Sequence, residues 1–283
     1  MFKISTICTN VLKTHVVKKA ICEAESRVLY VKKGLSPSSD FMCPRKTFFN
    51  FKYTGSNHLQ VDEEDYTYEG TRAFAVGNVF HEYIQKQFHD AGVLILDEFT
   101  MEDKEHHIRA RLDCIIEVNK VLYLVELKSA KSYSMKIMRD EQAPDMEHQK
   151  QLQLYFHLLD VMRDDPKLVA AIGNRRINKG IILYESKNDH KLLEYRVDRA
   201  QPIINELLHY ADTVWAKVQS GKEPKQKFEP DSPECLYKCN KSYYQICHGK
   251  PNPWKESLKD GQVWGFGNAQ TMTKEPTFVK DIK

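Results

Sequence analysis

Two runs rich in apolar and β-branched residues, at about 107–118 and 121–128, are separated only by Asn119 and Lys120. A two-residue connection between such runs predicts a β-hairpin, and a loop of that length dictates the register of everything it joins. If Val118 meets Val121, counting back sets Asp113 opposite Glu126 and Arg111 opposite Lys128. A four-residue loop would keep this register, and a three-residue loop would shift it. Opposed side chains share a sheet face with Cβ atoms about 4.5–5.5 Å apart, and positions i and i+2 share a face as well. Asp113, Glu126 and Lys128 therefore converge on one patch. Such a patch suits Mg²⁺ or Mn²⁺, hard cations that take carboxylate oxygens and keep several waters. The lysine can orient a water or stabilise charge developing on a phosphate. The plainer alternative is an acid–lysine pair on a solvated sheet face.

Composition sets the frame for this patch. With 283 residues, 41% hydrophobic and 29% charged, the chain can bury a substantial core as one large domain or two smaller ones. A net charge of +3 neither demands nor excludes nucleic acid, so such contacts would come from a local basic surface. No stretch approaches the roughly 20 apolar residues of a membrane span, and Met-Phe-Lys-Ile-Ser-Thr lacks the features of a secretory leader. A cytoplasmic location and no membrane partner are expected. In a reducing compartment the seven cysteines read as metal or cluster ligands rather than disulfides.

Around the hairpin the pattern predicts a helix near 10–25, a strand at 27–31, and in the 34–46 segment a loop followed by a Ser/Asp helix start. A polar, acidic loop is expected at 53–70. Phe74, Gly77, Phe80, Ile84 and Phe88 recur at helical spacing, giving a helix over 72–89 with His81 on its inward side. A strand at about 93–99 precedes the hairpin, and a charged loop at 131–146 follows it. The helix at 147–163 gathers Gln151, Leu154, Tyr155, Leu158 and Leu159 on one stripe. A second hairpin, 179–185 with 192–197, turns at Asn188-Asp189, and a helix runs over 200–219.

Gly77-Asn-Val-Phe-His81, Asp113, Glu126-Leu-Lys128 and Gln151-Leu-Gln-Leu-Tyr155 follow one another along the chain. This ordered set resembles the RecB-type branch of the PD-(D/E)XK nuclease superfamily. The resemblance implies an α/β, restriction-endonuclease-like fold with a mixed central sheet flanked by helices. By it, His81, Asp113 and Glu126 are metal ligands, the Leu127 carbonyl joins them, and Lys128 is the catalytic lysine. Gln151 and Tyr155 would position the DNA strand or the active site, and Glu82 would be peripheral.

Cys235, Cys239 and Cys247 cluster late, while Cys43 stands far upstream in Ser36-Pro-Ser…Cys43-Pro-Arg-Lys. Four cysteinates suit an iron–sulfur cluster or a structural zinc, and His248 could replace a thiolate in the zinc case. The arrangement, with Leu183-Tyr-Glu-Ser-Lys, resembles the iron–sulfur CRISPR-associated exonucleases, their phage-encoded relatives and AddB-type subunits, although the late spacing is wider than usual there. The resemblance implies a 4Fe–4S cluster, zinc being the alternative, in a subdomain joining the N- and C-terminal segments. It implies one nuclease domain over 1–250, with a core at about 72–200, cluster segments at about 34–60 and 228–250, and a polar tail over 251–283. The activity implied is metal-dependent exonuclease digestion of single-stranded or ended DNA, 5′→3′. A structure-specific endonuclease and a non-cutting DNA-end-binding module are the alternatives. Without a Walker-type loop, unwinding would need a helicase partner. An integrase-type partner and oligomerisation stay open. Lys and Arg at 45, 46, 109, 111, 128, 131, 136 and 139, with Phe48, Phe49, Phe51, Tyr53, Tyr243 and Tyr244, could hold a single strand, or be solvated bases over a small aromatic core. Cys8, Cys22 and Cys114 read as leftover thiols.

Overall fold

The computed structural model describes residues 32–53 and 68–250, apart from 237 and 240, together with 253. The helix expected near 10–25, the strand at 27–31, most of the 53–70 loop and nearly all of the tail lie outside the described residues, as do Cys8 and Cys22. The chain divides into two units, Met1–Glu229 and Pro230–Lys283. In order, the first contains α1 (Pro44–Lys52), α2 (Tyr68–Asp90), β1 (Leu94–Asp97), β2 (Thr100–Asp103), β3 (Ile108–Arg111), β4 (Cys114–Val118) and β5 (Val121–Ala130). It continues with α3 (Ser132–Glu141), α4 (Met146–Val161), α5 (Pro166–Ile172), β6 (Lys179–Ser186), β7 (Leu192–Asp198) and α6 (Gln201–Ser220). The second unit contains α7 (Pro233–Leu236) and α8 (Lys241–His248).

The first hairpin has the predicted register. Val118 pairs with Val121 and the ladder runs to Cys114 opposite Val125. Asn119 and Lys120 both have positive φ, 51° and 64°, the mirror-image turn whose twist matches the flanking strands. The upstream run, however, is not one strand. It breaks at Leu112-Asp113, and β3 leaves the sheet to pair with β2, so that Arg111 faces Thr100 rather than Lys128. The break coincides with two bonds to other segments. The Leu112 N–H bonds the Phe99 carbonyl, and the Leu127 N–H is taken by the Asp113 carboxylate at 2.7 Å.

The main sheet has the order β1-β4-β5-β6-β7. Only β5 and β6 run parallel; the other three pairs are antiparallel. A parallel pair requires a crossover, supplied here by α3, α4 and α5. Side-chain alternation then builds two cores. Leu122, Leu124, Ile182 and Tyr184 pack with Leu152 and Phe156 of α4 and with Ile204 and Leu207 of α6. Cys114, Ile116, Val125, Leu127 and Leu183 pack on the other face with Phe80 and Ile84 of α2. Helix α4 starts where Asp145 accepts from the Glu147 N–H, and residues 151–156, 158 and 159 are all buried. It lies so close to β6 that a Cβ at Gly180 would overlap Leu152 and sit 3.1 Å from Phe156 Cζ.

Three local expectations are corrected. The charged 131–146 segment contains α3, in which Met135 and Met138 are buried and the other residues, Tyr133 and Ile137 included, are exposed. Two methionines three apart are too short an apolar stripe to stand out from the charge around them. The Ser/Asp stretch caps a turn instead of a helix: Asp40 accepts from the Ser36 N–H at 2.6 Å, and α1 starts at Pro44 with Cys43 in the cap position and no side-chain cap. Helix α5 was not anticipated, although Asp165 before Pro166 caps it with bonds to the Lys167 and Leu168 N–H groups.

Candidate active site

Where β3 and β4 part, the released backbone is held by side chains. Gln85 of α2 donates to the Asp113 carbonyl at 2.9 Å and to Glu98 Oε1 at 3.0 Å. The Glu98 N–H donates to the same carbonyl at 3.1 Å. Across the break, Tyr155 donates to the Arg111 carbonyl at 3.2 Å, and Gln151 donates to the Tyr155 hydroxyl at 2.7 Å. Asp113 is thus fixed from both sides. Its Oδ2 accepts from Leu127 N–H, and its Oδ1 lies 3.4 Å from His81 Nδ1.

On the neighbouring strand Glu126 is 1% exposed. Its Oε1 is 2.5 Å from Lys128 Nζ, and its Oε2 is buried with no hydrogen-bond partner among the described residues. Burial, and then the charge of Asp113, push its carboxyl up to about 7, against the pull of Lys128 and His81. Burial alone would lower the Lys128 ammonium, but the charge and hydrogen bond of Glu126 raise it above its ordinary value. His81 is likewise raised, since the hydrogen bond and charge of Asp113 outweigh its own burial. The Tyr155 phenol is pushed well up by burial and by both acids, so it stays a neutral donor.

This gathers His81, Asp113, Glu126, Lys128, Gln151 and Tyr155 around one strand break. Gln151 and Tyr155 are both buried, with hydrogen bonds to each other and to the backbone that leads into Asp113. Leu127 is buried in β5 and spends its N–H on Asp113. One residue was missed. Ligand atoms of His81, Asp113 and Glu98 lie within 4.8 Å of one another, a set that does not include Glu126. Glu98 has φ of 47° and pairs with Arg111 at 2.7 Å. Its signal was an acid just beyond Asp97, which pairs with Cys114, but that pairing is long-range and carries no turn to announce it.

The buried Glu126 Oε2, without a hydrogen-bond partner among the described residues, is what a bound cation would satisfy. The donor set, carboxylates with one imidazole, fits Mg²⁺ or Mn²⁺.

The expected aromatic platform is largely core. Phe48 and Phe49 are buried, Phe51 meets Trp215 edge-on at 5.3 Å, and in the second unit Tyr243 and Tyr244 are buried as well. Arg45 is paired with Glu223. Lys131, Lys136 and Arg139, around α3, are exposed. Of the cysteines, Cys43 is half-buried in the first unit, while Cys235 and Cys239 are buried and Cys247 half-buried in the second. Cys114 is enclosed in the sheet and burial raises its thiol far above the ordinary range, which makes it inert. No helix among the described residues is long and apolar enough to cross a membrane.

No protein-family description and no curated protein matches this sequence. Among solved structures, SSO0001 is similar at 19% identity with a TM-score of 0.42, over 70% of this chain and 83% of that one. The alkaline exonuclease LHK-Exo of Laribacter hongkongensis is similar at 12% identity and a TM-score of 0.41, over 68% of this chain and 91% of that one. LHK-Exo in complex with dAMP gives 14% and 0.40, over 68% and 90%.

Proposed function

We propose that this chain is a metal-dependent deoxyribonuclease, an exonuclease that hydrolyses phosphodiester bonds of single-stranded DNA in the 5′→3′ direction. The observation that carries the reading is the buried, half-satisfied Glu126 between Asp113 and Lys128. Lys128 meets one oxygen of that carboxylate; the other, buried without a partner among the described residues, costs about 1–3 kcal/mol, which a bound divalent cation would offset. His81, Asp113 and Glu126 would hold Mg²⁺ or Mn²⁺, with the Leu127 carbonyl and Glu98 available beside them. When bound, such an ion polarises a phosphate oxygen and lowers the pKa of its water.

The chain's own groups do the rest. Lys128, steered by Glu126 Oε1, presents a fixed positive charge to the phosphate as negative charge builds on it. His81 and the Leu127 N–H orient the Asp113 carboxylate through its two oxygens. Gln151 and Tyr155 act as positioning residues, holding the Arg111 carbonyl and hence the approach to Asp113. Lys131, Lys136 and Arg139 supply exposed positive charge for the DNA backbone. Cys43, Cys235, Cys239 and Cys247 would carry a 4Fe–4S cluster, and iron content with visible absorbance of anaerobically prepared protein tests that against zinc.

The deciding assay uses end-labelled single strands with Mn²⁺ or Mg²⁺, comparing wild type with Lys128→Ala and Glu126→Ala. Cutting by wild type and loss in both variants is expected. An inert wild type ends the enzyme reading, and equal cutting by the variants ends the site assignment. Circular single-stranded DNA separates the classes: an exonuclease leaves it intact, a structure-specific endonuclease cuts it, and an end-binding module leaves every substrate uncut.

A further inference from the structure

A second cluster of ligating side chains lies outside this site. Asp103 ends β2, His106 sits in the turn to β3, His157 projects from α4, and Asp212 lies on α6. Asp103 is 3% exposed. Its Oδ1 accepts from the Glu105 and His106 N–H groups at 2.9 and 3.2 Å, which folds the turn so that His106 lies beside the carboxylate. Its Oδ2 is 2.7 Å from His157 Nε2. The His106 and His157 rings are 5.9 Å apart, and one ligand atom each from Asp103, His106 and His157 falls within a 4.8 Å set. His106 Nδ1 is 2.8 Å from Asp212 Oδ1.

Among the described residues, the ion pairs of Asp103 and Asp212 are with these two histidines. Two carboxylates facing two imidazoles are neutralised either by protonating both rings or by one divalent cation. The grouping of the three ligand atoms accommodates the second, with the cation in place of the proton that His157 Nε2 shares with Asp103 Oδ2. A neutral His106 that gives its Nδ1–H to Asp212 keeps its lone pair on Nε2. A carboxylate on the far nitrogen is the usual means of fixing a ligating histidine's tautomer and raising its basicity. Nitrogen donors also set this cluster apart from the oxygen-rich first site, since imidazole suits zinc and its transition-metal neighbours better than magnesium.

We propose that Asp103, His106 and His157 form a zinc-class divalent metal site separate from the Asp113–Glu126 centre, with Asp212 orienting His106. Such a site would clip the β2–β3 turn to α4, the helix that carries Gln151 and Tyr155. The inference does not depend on the nuclease reading, because its test measures metal binding alone.

The full chain, stripped of metal, is titrated with Co²⁺ and followed by visible absorbance. A nitrogen–oxygen site gives visible bands without the near-ultraviolet thiolate band of a cysteine site. One such equivalent is expected in wild type, displaced by Zn²⁺, retained in Asp113→Asn and lost in His106→Gln and His157→Gln. Its absence from wild type, or its survival in folded His157→Gln, overturns the proposal. Should the histidine variants not fold by far-ultraviolet circular dichroism, Asp212→Asn decides, since that side chain is half exposed. A Kd weakened about 10- to 100-fold supports the site, and an unchanged Kd overturns it.

Discussion

Replacing Glu126 by Gln should change how stability depends on pH. The Glu126 carboxyl is raised from an ordinary 4.5 to about 7, first by burial and then by Asp113. Between those values the unfolded chain has released the proton that the folded chain retains, so stability falls as pH rises from about 4.5 to about 7 and stays lowered above it. At about 1.36 kcal/mol per pH unit, the penalty approaches about 3 kcal/mol in the metal-free protein. Gln has the same shape and no proton to release. Losing the partner of Lys128 adds a constant offset, because that ammonium stays charged across the range. The informative quantity is therefore the difference in slope. Urea unfolding in EDTA, followed by tryptophan fluorescence from pH 5 to 8, should show wild type losing about 2–3 kcal/mol relative to Glu126→Gln. Saturating Mn²⁺ should restore most of the wild-type loss at pH 8 and stabilise the variant less, because the variant lacks one of the groups that would hold the ion. Parallel profiles for the two proteins would refute the claim that Glu126 is held desolvated and half-satisfied.

Gly180→Ala should cost about 1–3 kcal/mol, because the added Cβ overlaps Leu152 under α4; urea midpoints measure it. Tyr155→Phe removes the bond to the Arg111 carbonyl and should cost about 1 kcal/mol. With the Asp113 segment loosened it should also slow DNA cleavage at unchanged far-ultraviolet circular dichroism, whereas an unchanged rate would remove Tyr155 from the positioning role. Lys120→Gly, at a turn position with φ of 64°, should raise the melting temperature by relieving a left-handed conformation that costs roughly 1–2 kcal/mol, partly offset by the greater freedom of Gly in the unfolded chain.

Legibility followed the range of the interactions. The β4–β5 register could be counted from Asn119-Lys120, because a two-residue turn leaves no freedom, and the ladder follows it as far as Cys114 opposite Val125. The helical stripes of α2 and α4 were readable for a similar reason: each buries a face whose period is local. His81, Gln151 and Tyr155 could therefore be named, but only packing showed Gln151 and Tyr155 bonded to each other and to the Arg111 carbonyl. The same limit hid α3, whose two methionines mean little until a sheet lies beneath them.

The sequence alone carried the β4–β5 register and the long amphipathic helices α2, α4 and α6, since turn length and side-chain period act within a few positions. Tertiary structure decided where the upstream strand breaks, at the point where the Asp113 carboxylate takes the Leu127 N–H. It also brought Glu98 beside Asp113 and His157 beside Asp103. Those meetings depend on strands and helices far apart in the chain coming to rest against one shared core, which no local pattern encodes.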